Sequence, residues 1–98
     1  MILIKIHKTK FRDVIAVCDS NLVGKKFEEN GLQLDITDRF YKGNNLPEED
    51  MILILKTADN VNIVGQESIG LAIKAGIVDK NNILIINGIP HAQYATIE

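Results

Sequence analysis

The chain predicts an α+β fold in one domain, with a largely antiparallel sheet of about five strands and two or three helices. Three observations carry this expectation. The opening residues alternate apolar and polar with the period of two of a half-buried strand. An acidic, proline-led segment in the middle has the marks of a helix start. Strand patterns also open and close the chain around that helical middle, whereas a doubly wound parallel fold would alternate strand and helix throughout.

In the first strand Ile2, Ile4 and Ile6 alternate with Leu3, Lys5 and His7. A polar turn around Thr9-Lys10-Phe11-Arg12 follows. Val14 to Cys18, apolar and largely β-branched, then suits a second strand paired with the first as a hairpin. Asp19 or Ser20 can cap a short helix in which Leu22, Val23 and Phe27 recur at helical spacing, interrupted by Gly24 and stopped at Asn30-Gly31. Leu32, Leu34 and Ile36 alternate with Gln33, Asp35 and Thr37 in a third strand, and Arg39 to Asn45 reads as a loop.

Pro47-Glu48-Glu49-Asp50 opens a helix to about Ala58, although the unbroken apolar run Met51 to Leu55 leaves a buried strand as the alternative. A further helix fits Ile63 to Ala75, capped by Asn60 or Asn62 and stopped at Gly76. Asp79 to Asn82 makes a turn, Ile83 to Ile86 a buried strand, and Gln93 to Ile97 a last one.

A length of 98 residues leaves room for one core, and the apolar share of 46% is ordinary for a globular fold. The single cysteine, Cys18, can make no internal disulfide, which favours a reducing, cytoplasmic setting. The start meets Lys5 before it reaches the apolar length of a signal peptide. Met51 to Leu55 falls far short of the roughly 20 residues that cross a bilayer, so no membrane association is expected. Phosphate loops, dinucleotide fingerprints, G-x-S-x-G elbows, H-E-x-x-H and metal-ligand spacings are absent. Hence no cofactor, no metal and no catalytic residue is assigned.

The net charge of −2 argues against a protein coated in cations, but the charge is segregated. Up to residue 12 there are four cations, Lys5, Lys8, Lys10 and Arg12, and no acid, whereas residues 28–60 hold eight acids against Arg39, Lys42 and Lys56. The first group is expected to form one surface patch able to meet phosphate; a solvated strand edge is the plainer alternative. In the segment Asn87-Gly88-Ile89-Pro90-His91-Ala92-Gln93, Asn-Gly favours a positive-φ turn and Pro90 stiffens the backbone that presents His91 and Gln93. That segment is the second candidate surface. Asn62 and Gly65, at the expected helix start, make a weaker candidate for an anion. Phe40-Tyr41 can serve as stacking aromatics or fold over the core. Cys18 reads either as a thiol sharpened by a helix start, able to pair with His91, or as a small apolar core residue.

Six segments then occur in order: Ala16-Val17-Cys18-Asp19, Leu22-Val23-Gly24-Lys25, Phe40-Tyr41-x-Gly43, Asn62-Ile63-Val64-Gly65, Ala72-Ile73-Lys74-Ala75-Gly76 and Ile89-Pro90-His91-Ala92-Gln93. Together they resemble a small archaeal family of unknown function, the four-hundred-and-twenty-fourth domain family of that kind, over essentially the whole chain. The resemblance implies an archaeal cytoplasmic protein whose genes often neighbour translation genes, and it assigns no residue a role.

The expected function is therefore a non-catalytic domain that binds RNA or a translation-associated protein through the basic hairpin and the Pro90-His91 turn. Two alternatives make different demands on the fold. A small enzyme would need His91 within hydrogen-bond reach of Cys18 or Asp19, and a homo-oligomeric structural protein would use an exposed strand edge.

Overall fold

The computed structural model describes residues 1–96. Strands β1 (Ile2–His7) and β2 (Val14–Asp19) form the expected antiparallel hairpin, with Ile2 opposite Asp19 and His7 opposite Val14. After a 3-10 turn at Ser20–Leu22 come β3 (Lys26–Glu29) and β4 (Leu32–Asp35), paired as a separate two-stranded sheet. The remaining elements are α1 (Asp38–Tyr41), α2 (Glu48–Thr57), β5 (Asn60–Val64), α3 (Gln66–Lys74), a 3-10 turn (Lys80–Asn82), β6 (Leu84–Ile86) and β7 (Ile89–Ala95). The main sheet has the order β1-β2-β5-β7-β6, and every pair is antiparallel except β2 with β5. The fold is α+β as expected, with a mostly antiparallel sheet.

Alternation along the strands divides the sheet into two faces. On one, Ile4, Ile15, Val17, Val61, Ile63 and Ala92 pack with Met51 and Leu55 of α2 and Ile69, Leu71 and Ala72 of α3. On the other, Ala16, Cys18, Val64 and Ile86 pack with Leu22, Leu34 and Ile36 around the small sheet and with Tyr41 of α1. Each large apolar side chain taken fully out of water, such as Leu55 or Ile63, contributes about 1.5–3 kcal/mol. Met51 to Leu55 is helical, as its acidic first turn and Lys56 suggested.

Several local readings are corrected. Only the 3-10 turn at Ser20–Leu22 follows Asp19, and the expected helix through Phe27 does not form: Asn30 and Gly31, with φ 51° and 82°, turn a β-hairpin rather than stop a helix, and Phe27 lies opposite Leu34 on its strands. Residues 38–41, which overlap the start of the loop expected from Arg39 to Asn45, form one helical turn capped by Thr37, whose Oγ1 accepts from the Phe40 amide. The helix expected from Ile63 starts at Gln66. Asn60 to Val64 is instead a central strand, because two neighbours bury Val61, Ile63 and Val64, and Asn60 and Asn62 lie on it and cap nothing. The strand near Ile83 is an edge rather than a buried element, with Leu84 and Ile85 56% and 63% exposed. The last strand begins at Ile89, so the stiffened turn shrinks to Asn87 and Gly88, with φ 51° and 80°. Ile97, the expected end of that strand, lies outside the described residues.

Candidate functional site

The register of the sheet places each candidate residue. On the face away from α2 and α3, one row crosses Lys5, Ala16, Asn62 and Gln93, and the next crosses Leu3, Cys18, Val64 and His91. Asn62 and Gln93, expected at two separate sites, are therefore direct cross-strand neighbours.

The Cys18–His91 pair that the enzyme alternative requires does not form. Val64 stands between Cys18 and His91, two strand spacings or roughly 10 Å apart. Cys18 is fully buried, burial pushes its thiol up to about 12, and its S–H donates to the Asp19 carbonyl at 3.1 Å. Asp19 projects to the opposite face from Cys18. There its carboxylate accepts from the amides of Glu67 and Ser68, at 3.1 and 2.8 Å, and from the Ser68 hydroxyl at 2.7 Å. The chain itself thus supplies the anion expected beside Gly65, at the first turn of α3.

His91 is half-buried on β7 rather than displayed on a turn, its Nδ1 has no partner among the described residues, and burial lowers its pKa. At the turn before it, the Asn87 amide donates to the Glu29 carboxylate at 2.8 Å. An acid therefore sits where a polyanion was expected.

The basic residues lie toward the other end of the sheet but divide between its faces: Lys5 on β1 stands with Arg39 and Phe40 on the α1 side, whereas Lys8 and Arg12 of the β1–β2 loop border Ile54, Thr57 and Asp59 on the α2 side, so the four do not form the single patch expected. Lys8 pairs with Asp13 at 3.1 Å, Arg12 donates to the Thr96 carbonyl at 2.8 Å, and Lys5 donates to the Arg39 carbonyl at 2.6 Å. Lys10 is exposed at the tip. The loop is stiffened from within, since Thr9 Oγ1 accepts from the Phe11 and Arg12 amides at 3.3 and 2.9 Å. On that tip Phe11, between Lys10 and Arg12, is 91% exposed.

Phe11 was not singled out by sequence reasoning, because one aromatic in a polar turn reads equally well as folded inward. The signal available was its position between two cations. Phe40 and Tyr41 divide the roles weighed for them: Tyr41 is buried, while Phe40 stacks on His7 with ring centroids 4.6 Å apart and planes 11° apart. No group of three or more potential metal ligands occurs among the described residues. Nor is any helix among them long and apolar enough to cross a membrane.

No match to a curated protein is found. The crystal structure of an uncharacterized conserved protein from Methanopyrus kandleri is similar, with a TM-score of 0.77 at 24% identity over 99% of this chain and 95% of that one. At that identity the likeness is one of fold. The family model described as protein of unknown function (DUF424) matches residues 7–97, and with the fold and the ordered segments in place the chain belongs to that family.

Proposed function

We propose that this chain is an RNA-binding domain that holds a single-stranded segment at the tip of the β1–β2 hairpin. The observation that carries the reading is Phe11, 91% exposed on a stiffened loop between Lys10 and Arg12. A phenylalanine gains nothing for the fold in that position, whereas an aromatic face among cations serves stacked bases and their phosphates together. The Asn87-Gly88 turn is a poorer place for a polyanion because Glu29 occupies it. The family resemblance, with its genes beside translation genes, is the ground for naming an archaeal, cytoplasmic, translation-associated RNA as the ligand.

The test is a fluorescence-anisotropy titration of the full chain with a labelled single-stranded RNA, repeated with Phe11→Ala and Lys10→Gln, beside affinity capture with and without ribonuclease. Binding weakened by both substitutions supports the reading. Binding that ignores both, or captured proteins that survive ribonuclease, would replace RNA with a protein partner.

A second reading rests on the β6 edge. The outer edge of β1 is closed by Asn44, which exchanges two backbone hydrogen bonds with Ile4 at 2.8 and 3.0 Å. The opposite edge carries exposed Leu84 and Ile85 on its two faces, with no charge or proline to guard it. Antiparallel pairing of two copies through β6 would cover both side chains.

A further inference from the structure

A cleft of about 320 Å³ opens between β1 and α1, lined by Lys5, His7, Thr37, Arg39 and Phe40. We propose that it is a binding site for a single nucleotide, taking the phosphate on Lys5, Thr37 and Arg39 and the base against the His7–Phe40 pair. This goes beyond the hairpin reading and needs no contact at Phe11.

The lining contains two permanent cations and no carboxylate, which selects for an anion. Lys5 spends one N–H on the Arg39 carbonyl, so the ammonium is held at the cleft with two donors to spare. Thr37 Oγ1 accepts from the Phe40 amide at 3.2 Å, leaving its O–H free to donate. The Arg39 guanidinium has no hydrogen-bond partner among the described residues, and its planar fork matches two phosphate oxygens.

The aromatic wall is assembled without a ligand. His7 Nε2–H donates to the Phe40 carbonyl at 2.7 Å, which fixes the proton on Nε2 and leaves Nδ1 as an acceptor. Phe40 in turn meets the buried ring of Tyr41 edge-on, with centroids 4.8 Å apart, so the stack is braced against the core. Fixed cations, a hydroxyl donor, a ring wall and one acceptor together suit a phosphate joined to a planar base. The volume lies at the small end of ligand pockets, enough for one nucleotide and too little for two.

The experiment is an amide-resolved NMR titration of the full chain with adenosine 5′-monophosphate, with adenosine and inorganic phosphate as separate controls. The expected result is saturable shifts at Thr37 to Phe40 and along β1, with each control binding at least about tenfold more weakly. Arg39→Gln, an exposed change that leaves the fold intact, should weaken the nucleotide by about tenfold at an unchanged melting temperature. Shifts elsewhere or none, phosphate binding as tightly as the nucleotide, or an unaffected Arg39→Gln would each overturn the proposal. RNA oligomers with and without a 5′-phosphate separate the sources once the monophosphate binds: shifts at the same amides with the phosphorylated oligomer as well, and not with the unphosphorylated one, assign the site to a strand end, and shifts only with the monophosphate assign it to a free nucleotide. A chain that binds the nucleotide but no RNA loses the hairpin reading and keeps this cleft, and the reverse result keeps only the hairpin.

Discussion

The Asp19 carboxylate occupies the space where a side chain at Gly65 would stand. Gly65 has φ 107° and ψ 156°, a region open essentially to glycine alone, and the carboxylate beside it caps the first turn of α3. Gly65→Ala should therefore cost at least about 2 kcal/mol, combining backbone strain with displacement of the cap. Asp19→Ala should cost about 2 kcal/mol by leaving two amides and the Ser68 hydroxyl unmatched. Urea titrations of both variants and of the double mutant would show the double losing less than the sum. A Gly65→Ala chain as stable as the native one would contradict the arrangement.

Phe11→Ala should leave stability within about 0.5 kcal/mol, because little of the ring is buried, and weaken single-stranded RNA by about 1–3 kcal/mol. Lys10→Gln should instead reduce the dependence of binding on salt by roughly one counterion. Equal salt slopes for native and Lys10→Gln chains would remove Lys10 from the phosphate contact.

Acid should destabilise the fold through His91. Burial holds its folded pKa below the ordinary 6.5 of the unfolded chain, so the native state resists protonation. The contribution is complete above 6.5 and is lost as pH falls through the lowered folded value. Denaturation midpoints measured from about pH 7.5 to pH 5 should fall more steeply for the native chain than for His91→Gln. Parallel curves would place the acid sensitivity elsewhere.

The native thiol should resist alkylation. Cys18 is fully buried and its pKa is pushed up to about 12, so at pH 8 almost no thiolate meets the reagent. Iodoacetamide should label it only in denaturant. Rapid labelling of the folded chain would mean that β2 opens readily, and would revive the thiol as a nucleophile.

If β6 pairs two copies, light scattering should show mass rising with concentration, and Ile85→Lys should abolish the rise with little loss of stability, since Ile85 is 63% exposed. A monomer at all concentrations would leave that edge unpaired.

Much of this architecture was legible in the order of residues. The β1–β2 hairpin, β4, α2 with its acidic first turn, and the α+β class follow from local periodicity and from residues whose preferences agree with their surroundings. Errors arose where one local signal serves two structures. Asn30-Gly31 stops a helix as readily as it turns a hairpin, and Val61-Asn62-Ile63-Val64 shows itself a strand only once β2 and β7 flank it.

The candidate site was less legible, because its parts meet through register and packing across long stretches of chain. Lys5, Lys8, Lys10 and Arg12 could be seen as a basic segment, but nothing local joins His7 to Phe40 or Lys5 to the Arg39 carbonyl. Composition and periodicity govern which side chains seek water and which leave it, so they reach the elements and the general class. Which of those side chains become neighbours depends on how the strands are ordered, and that order set Val64 between Cys18 and His91 and placed Asp19 under α3.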